Sequence, residues 1–449
     1  MKRALLLSTF LLPAALATLS APAQAACVQA STSVTCSGLT LGFEASKSTN
    51  NLTITVQDYA IVANESGDAV RARGSNNTVI NYGTISGAEP LTFDEDGERL
   101  TGSDGIDGGK NLTVLNYGAI TATNKGIDAE EKDGLTVINY GSISAYDKAI
   151  RNQNANNGRL ENYGTIESQT DEGFESGDNA YVYNGVGASI IASDDAIQVG
   201  ENAEIHNYGL ISSVLRGGDE ADPQDGIDID SGSIYNYATG VIRSDDDAAI
   251  DYDASDITSY IDNYGTISGT IGVLVEKGET GEEPNVAAQI IRNWGVIEGR
   301  NGMALDLGAG DDSLTLYAGS TLIGGADFGA DNDSLILDGI FTADIAGGAL
   351  LDGGTGLNTV SFLNYGIGDI VSSLFDDDLS VVLSFASDDT SFSINLTNWT
   401  SFSFSDGVTY SYAALQEALA TPAAVPVPAA GLLMMAGLGG LAALRRRRA

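Results

Sequence analysis

The chain repeats one short motif, Asn-Tyr-Gly-x-Ile, and this recurrence limits the folds that the chain can adopt. Full copies of the motif begin at Asn81, Asn116, Asn139, Asn162, Asn207 and Asn263. Weaker copies begin at Asn184, Asn236 and Asn293. In the most regular part, successive asparagines are 22 or 23 residues apart, which is a period typical of a solenoid.

A second landmark recurs in step with the first. A glycine or alanine followed by an apolar residue precedes most of the asparagines, as at Gly105-Ile106 and Gly126-Ile127. Between the landmarks lie short β-branched runs separated by Gly, Asn and Asp, and sustained helical periodicity is missing. Three short strands fit in one repeat, and stacking equivalent strands about 4.8 Å apart gives a parallel β-helix.

The repeated residue types predict scaffold roles within such a fold. The asparagines are expected to form a ladder of side-chain hydrogen bonds, and the tyrosines an aromatic column. The glycine after each tyrosine is expected to adopt a positive φ at a tight corner. On this interpretation the motif holds successive coils in register and does not bind a ligand.

The charge balance excludes one class of partner. The chain has 61 acidic and 21 basic residues, a formal net charge of −40 at pH 7. Binding to nucleic-acid phosphates requires a positive surface, so nucleic acid is not expected as a partner. The charge favours solubility, cation binding or a basic partner.

The N-terminal segment predicts export. Residues 1–25 begin with Lys2 and Arg3, continue as an apolar run and end in a small-residue cleavage site, which is the pattern of a signal peptide. Residues 26–65 are predicted to form an N-terminal cap. Cys27 and Cys36 are placed to form a disulfide in an oxidising compartment, and two free thiols are the alternative.

The C-terminal segment, residues 421–449, is predicted to be a linker followed by a sorting signal or transmembrane helix. An apolar run at 430–444 precedes four arginines at 445–448. The sequence just before the run consists of Val425, Pro426, Val427, Pro428 and Ala429. This layout resembles the VPLPA-CTERM type of bacterial sorting signal. The resemblance implies an exosortase-like protease as partner, membrane insertion before processing and delivery to the cell surface or its matrix; a plain membrane anchor is the alternative.

The repeat region, residues 66–304, resembles the passenger segments of bacterial autotransporters and related adhesin-like surface proteins. The resemblance implies a right-handed coil. The fold expected for the whole chain is therefore all-β, a right-handed parallel β-helix with an N-terminal cap, a β cap at residues 361–420 and a C-terminal apolar helix.

Residues 305–360 are richer in Gly and Asp and raise the question of calcium. Gly308-Ala309-Gly310-Asp311-Asp312 fits the start of a calcium-binding nonapeptide, and a related segment contains Asp333. Asp312 and Asp333 are thus candidate metal ligands. A third copy has Asn358 in place of the aspartate, and the three copies are 21 and 25 residues apart instead of nine, which favours one Asp-Gly turn per coil. Calcium is the one cofactor left open.

An enzyme is the alternative to a structural protein, because β-helices often act on polysaccharides with carboxylates on one face. The Gly-Ile-Asp landmark places Asp107 and Asp128 in adjacent coils, and likewise Asp228 and Asp251. Stacked positions in adjacent coils are about 5 Å apart, which is within the separation of the two carboxyl groups in a retaining glycosidase. The equivalent residues elsewhere are Arg151, Glu175 and Gln198, and the sole histidine, His206, occupies an ordinary strand position.

These observations favour a protein that is not an enzyme. The expected function is that of an exported bacterial cell-surface or matrix protein, structural or adhesin-like, whose acidic rod contacts surface polysaccharide or other cells. The alternative is a β-helix lyase or glycoside hydrolase that acts on polysaccharides.

Overall fold

The computed structural model describes residues 26–94, 99–214, 224–276, 285–376, 378–387 and 390–420. These residues divide into two compact units. The first unit comprises described residues up to 204 together with 209–214, and the second comprises 205–208 and the described residues from 224 onward. Both units are built from parallel β-strands that stack one coil upon the next, so the fold is an all-β parallel β-helix.

Each coil of the first unit contributes a strand to each of three columns. First-column strands end at or near the asparagine of the motif, second-column strands follow the Tyr-Gly pair, and third-column strands begin near the Gly-Ile or Ala-Ile landmark. The first column contains Ser33–Ser37, Thr53–Val56, Thr78–Asn81, Thr113–Asn116, Thr136–Asn139, Arg159–Asn162 and Tyr181–Asn184. The second contains Leu39–Thr40, Ile61–Asn64, Thr84–Gly87, Ala119–Ala122, Ser142–Ala145, Thr165–Ser168, Ser189–Ala192 and Leu210–Ser213. The third contains Phe43–Glu44, Val70–Ala72, Ile106–Gly108, Ile127–Asp128, Ile150–Asn152, Phe174–Ser176 and Ile197–Val199.

The second unit has the same three columns with longer strands. The strand Ala203–Asn207 contains residues of both units. First-column strands of the second unit are Gly232–Asn236, Ser259–Asn263, Gln289–Asn293, Ser313–Tyr317, Ser334–Asp338, Thr359–Phe362 and Ser401–Phe404. Val241–Arg243 belongs to the second column, and Ile227–Ile229, Ala248–Tyr252 and Leu350–Asp352 belong to the third. Three strands run through both of these columns: Thr266–Val275, Val296–Asp306 and Thr321–Asp327.

The core is formed by inward-facing aliphatic side chains that pack on their equivalents in the next coil. Thr113–Asn116 alternates between half-buried and fully buried residues, which is the pattern of a strand with one face on a core. Val114 pairs in register with Val137, and Ile106 with Ile127. Because side chains alternate in a strand, this register directs the same aliphatic positions inward in every coil.

The asparagines form the predicted ladder in each unit. In the first unit the Asn116 amide donates to Asn139 Oδ1 at 2.8 Å, and Asn139 donates to Asn162 at 2.9 Å. In the second unit Asn236 donates to Asn263 at 2.8 Å. These side chains have no solvent exposure. A buried amide that lost its partner would be costly, so the ladder fixes the register of the coils.

The tyrosines of the motif form the predicted aromatic column in the first unit. Tyr82, Tyr117, Tyr140 and Tyr163 stack with ring centroids 4.9 to 5.0 Å apart and ring planes within 9° of parallel. The residues are 41 to 49% exposed. Their ring faces pack against one another, so the column presents ring edges to solvent and extends the register contacts to the surface.

The prediction of positive φ at the motif glycines is wrong. The positive-φ glycines of the described residues do not include Gly118, Gly141 or Gly295. The physical reason for glycine is close approach: a Cβ on Gly141 would lie 1.9 Å from the Gly118 carbonyl oxygen, and one on Gly295 would lie 2.1 Å from that of Gly265. The tight stacking of corners, and not a left-handed backbone, excludes a side chain there.

Antiparallel strands begin and end the described chain. Ala26–Ala30 pairs antiparallel with Ser33–Ser37, which pairs parallel with Thr53–Val56. At the other end Ile370–Phe375, Val381–Ser387 and Thr390–Thr397 form an antiparallel sheet that joins the third column. The pairing is therefore no longer purely parallel at either end, although within the predicted N-terminal cap the strands from Ser33–Ser37 onward already belong to the parallel columns.

Other elements near the C-terminal cap are short. The 3-10 helices are Ile345–Gly348 and Ile367–Asp369, and Thr409–Ser411 pairs antiparallel with Ser401–Phe404. The α-helix Tyr412–Ala420 follows, a helix that the sequence analysis did not predict. In the described part of the chain, no helix has both the length and the apolar character needed to cross a membrane. The apolar helix predicted within 421–449 lies outside the described residues.

We predict that Asn139→Ala lowers the free energy of unfolding by about 1–3 kcal/mol, because Asn116 and Asn162 both lose a buried hydrogen-bond partner. Denaturant unfolding followed by circular dichroism measures the effect. Ser142→Ala, which truncates a half-buried side chain in the same coil, is the control and should change stability by less than about 0.5 kcal/mol. If the two substitutions lowered the free energy of unfolding equally, the asparagine ladder would not be the interaction that holds the coils in register.

Candidate functional site

Charged side chains are concentrated on one outward-facing row of the third column, which we call the outer row. Each member follows the inward-facing apolar residue of the second landmark. In the first unit the outer row contains Arg71, Asp107, Asp128, Arg151, Glu175 and Gln198. In the second unit it contains Asp228, Asp251, Leu274, Asp306, Asp327 and Asp352. The structure therefore brings Asp107 beside Asp128, and Asp228 beside Asp251, as predicted.

Several charged residues of the outer row in the first unit form ion pairs. Arg73 forms an ion pair with Asp107, and Arg151 bonds Glu130 at 2.5 Å. Burial raises the pKa of Asp107, and the hydrogen bond from Arg73 works against this rise. Asp128 accepts the Glu130 backbone N–H at 3.1 Å. Asp107 therefore has a cationic partner in Arg73.

A cavity of about 330 Å³ lies beside this pair of aspartates. It is lined by Lys47, Arg73, Asp107, Gly108, Asp128, Glu130 and Lys132. The lining has both signs of charge and several hydrogen-bonding groups. Such a surface suits a polar, hydroxyl-rich ligand better than an apolar one.

Lys148 lies at the centre of an acidic cluster in the first unit. Asp171, Glu172 and Asp194 each place a carboxylate oxygen within 4.8 Å of the others, which is a spacing that could hold a metal ion. Lys148 Nζ lies 3.1 Å from Asp171 and 2.9 Å from Glu175, and it also bonds Glu172. Burial acts to lower the pKa of Lys148, but the Glu172 and Glu175 carboxylates outweigh it and the pKa is raised. The lysine ammonium thus supplies the positive charge of this cluster.

Asp104 is a buried acid that the sequence analysis missed. Its side chain accepts hydrogen bonds from the Asn124 amide at 2.6 Å and the Lys125 backbone N–H at 3.0 Å, and the residue is 7% exposed. Burial raises the pKa of Asp104 to about 7, although the Lys125 N–H acts in the opposite direction. The sequence did offer one signal for this site. Asp104 directly precedes the Gly105-Ile106 landmark, and another acidic residue, Glu172, directly precedes the equivalent Gly173.

Asp251 has a different environment in the second unit. It pairs in register with Asp228 and is 9% exposed, and its Oδ1 atom is buried without a hydrogen-bond partner. Burial raises the pKa of Asp251 to about 8, and the charges of Asp228, Asp253 and Glu276 add to the rise. Near neutral pH Asp251 therefore retains a proton more readily than an ordinary aspartate.

The predicted metal ligands Asp312 and Asp333 belong to a hydrogen-bond ladder of their own. Asp312 Oδ1 accepts the Gln289 backbone N–H at 2.7 Å, and Asp333 Oδ1 accepts that of Asp312 at 2.9 Å. Asn358 Oδ1 continues the ladder by accepting the Asp333 N–H at 2.8 Å. Each of these three residues thus ties its coil to the preceding one.

The second oxygens of the two aspartates are buried without a hydrogen-bond partner. Burial raises the pKa of Asp312 to about 8 and that of Asp333 to about 7. The Asp turn recurs once per coil because its side chain forms this ladder. Asn358, which has no carboxylate, performs the same role. Calcium binding at Asp312 and Asp333 stays a prediction.

The cysteines, the histidine and the C-terminal motif singled out in the sequence are the remaining residues to place. Cys27 and Cys36 are cross-strand partners and form a disulfide. The His206 ring stacks on Tyr235 with centroids 4.8 Å apart, and its Nδ1 lies 3.1 Å from the Tyr237 hydroxyl. The motif at 425–429 lies outside the described residues.

The fold and its ladders define the class of this protein as a parallel β-helix with charged outer rows. Comparison of the chain with protein-family models, with curated proteins and with solved structures found no match. Inferences about function therefore depend on the chemistry of the residues themselves.

We predict that Asp104→Asn stabilises the protein at about pH 9 more than at about pH 4. A raised pKa means that Asp104 contributes stability fully below its ordinary value of 3.8 and that this contribution is lost as the pH rises through about 7. Asparagine stays neutral and can still accept both hydrogen bonds. A gain of about 1 kcal/mol would raise Tm by about 2–4 °C.

Thermal unfolding of parent and variant across this pH range measures the effect. Asp133→Asn is the matched control, because the Asn156 backbone N–H and Lys110 lower the pKa of the half-exposed Asp133. Its contribution is present above the ordinary aspartate pKa and is lost at lower pH, so this variant should gain nothing at high pH. A pH-independent effect of Asp104→Asn would contradict the prediction.

Proposed function

We propose that the chain is an exported bacterial surface or matrix protein with a structural, adhesin-like role. The observation that carries this proposal is the use made of the repeated residues. Asn116, Asn139 and Asn162 bond one another, Gly118 and Gly141 permit close stacking, and Tyr117 stacks on Tyr140. The repeat is thus devoted to holding coils together, which is typical of a scaffold.

Export is supported by the Cys27–Cys36 disulfide. Disulfides persist in oxidising compartments and are rare in the cytosol. The pair directly follows the segment 1–25, whose charged start and apolar run fit a signal peptide. The proposed location is the cell surface, the outer envelope or the extracellular matrix.

Sorting by a C-terminal signal is the second part of the proposal. Val425 to Ala429, the apolar run at 430–444 and the four arginines that follow stand in the order of a VPLPA-CTERM signal. An exosortase-like protease would act on this segment while the apolar run holds the chain in the membrane, with the arginines on the cytoplasmic side.

Surface polysaccharide is the proposed contact of the exposed protein. The mixed-charge cavity beside Asp107 and Asp128 offers acidic acceptors as well as the donors Lys47 and Lys132. Sugar hydroxyls both donate and accept hydrogen bonds, so such a lining fits them. The net charge of −40 would steer the protein away from strongly anionic polymers and toward neutral or basic ones.

Mass spectrometry of the protein isolated from its native cells tests export and sorting together. We expect a mature chain that starts near residue 26 and ends within or near 425–429. Replacement of Pro426 and Pro428 by alanine should leave an unprocessed C-terminus. The control Thr421→Ala lies upstream of the motif and should be processed normally. A mature parent chain that ends at Ala449 would contradict sorting by cleavage.

A polysaccharide-active enzyme is the second candidate, and Asp251 is the observation that favours it. Burial raises the pKa of Asp251 to about 8 beside Asp228, and a glycosidase needs one protonated and one ionised carboxyl group. Turnover of neutral or acidic polysaccharides that disappears in Asp228→Asn or Asp251→Asn, but persists in Asp128→Asn, would replace the structural proposal.

A further inference from the structure

The cavity of about 330 Å³ in the first unit is formed by side chains from four successive coils. Lys47 follows the third-column strand of the first of these coils, Arg73 that of the second and Lys132 that of the fourth. The third coil contributes Asp107, and the next two residues are glycines. A Cβ on Gly109 would lie 2.4 Å from the Arg73 carbonyl oxygen, so the close approach of the coils excludes a side chain there. Space is left for a ligand because the third coil has no side chain at these two positions.

Ion pairs fix several lining side chains before a ligand binds. Arg73 pairs with Asp107, and its Nη2 atom lies 3.6 Å from the Asp68 carboxylate. Glu130 is held by Arg151 of the following coil at 2.5 Å. Side chains that are already held in place lose little further freedom on binding, which favours affinity. The charges of Arg73, Asp107 and Glu130 are thus balanced within the protein.

Three other charged groups of the lining have no such balance. Within the part of the chain that the structure describes, Lys47, Lys132 and Asp128 form no ion pair. Lys132 Nζ donates to the Glu130 backbone carbonyl oxygen at 3.2 Å, and Asp128 accepts the Glu130 backbone N–H at 3.1 Å. Neither contact neutralises a charge. Two ammonium groups and one carboxylate remain, so the cavity has a local excess of positive charge in a chain whose net charge is −40.

These unpaired groups define the chemistry of the ligand. The ammonium groups of Lys47 and Lys132 can bind an anion through charge-assisted hydrogen bonds. The Asp128 carboxylate can accept hydrogen bonds from hydroxyl groups, and it would repel a doubly charged phosphate more than a singly charged carboxylate. The volume lies at the lower end of the range for small-molecule sites, which suits a single sugar ring. A sugar that carries one carboxylate meets all of these requirements.

The net charge of the chain limits the kind of polymer that can carry this sugar. A polymer with an anion on every residue would bring several like charges close to the acidic surface, where screening over about 8 Å does not remove their repulsion. One anion in a neutral polymer meets only the local excess of positive charge in the cavity. Isolated acidic residues are therefore favoured over a dense polyanion.

We propose that the cavity binds a single uronate residue of an otherwise neutral surface polysaccharide. Lys47 and Lys132 bind the sugar carboxylate, and Asp128 accepts hydrogen bonds from the sugar hydroxyls. This inference rests on the proposed contact with surface polysaccharide and assigns a ligand to that contact.

Calorimetric titration of the full chain with two matched oligosaccharides tests the proposal. The first probe is xylotriose that carries one glucuronate, and the second is the same molecule with its carboxylate converted to the methyl ester, which keeps the hydroxyls and removes the charge. At an ionic strength of about 0.15 M we expect the acid to bind about tenfold more tightly than the ester, because a hydrogen bond to a charged group contributes about 1.5–3 kcal/mol.

Lysine variants locate the preference for the acid. Lys47→Gln and Lys132→Gln should each reduce it, and the double variant should bind acid and ester equally. Lys110→Gln is the matched control: Lys110 lies in the third coil, is exposed and pairs with Asp133 at 3.3 Å, but does not line the cavity. This variant loses the same charge and should keep the full preference.

The outcomes that overturn the inference are distinct from those that overturn the proposed function. Equal binding of acid and ester by the parent chain would exclude a uronate ligand but leave the contact with neutral polysaccharide intact. Binding of neither probe would overturn both the uronate assignment and the polysaccharide contact at this cavity. A preference that survives in the double variant, or is lost in Lys110→Gln, would place the anion elsewhere. Cleavage at the C-terminus is measured separately and is unaffected by any of these results.

Discussion

The asparagine ladder is the constraint on which the coils of each unit depend. A buried primary amide must both donate and accept, and in this stack the amide of the next coil satisfies those requirements. A slip of one residue would turn the aliphatic side chains outward and leave the amides unpaired. Register is thus enforced by hydrogen bonding and by hydrophobic burial at the same positions.

Strict register has an electrostatic consequence, because it aligns equivalent outward residues into rows. In the first unit, ion pairs such as Arg73 with Asp107 relieve the crowding of charges. In the second unit Asp228 and Asp251 are register partners, and burial together with neighbouring carboxylates raises the pKa of Asp251 to about 8. The same residue type in the same row therefore has different chemistry, according to the side chains that lie beside it.

The sequence was sufficient to predict the period, the asparagine ladder and the tyrosine column, because each follows from stacking identical residues. It misled at Gly141, where the conformation of a single residue was considered and the carbonyl oxygen of Gly118 in the neighbouring coil was not. It also could not show that Asp104 and Asp251 are buried. Burial of an outward residue depends on packing between distant segments, which a local pattern does not contain. The helix Tyr412–Ala420 was missed because a nine-residue segment carries little periodicity.

The close approach of the motif glycines has a further consequence for how such a protein can change in length. Gly118 and Gly141 present the same backbone surface to the coil before and to the coil after, and the asparagines on either side repeat the same donor and acceptor. A coil is therefore interchangeable with its neighbour at both of its faces. Duplication or loss of one complete coil would rejoin matching surfaces, whereas an insertion of a few residues must be accommodated as a loop between strands.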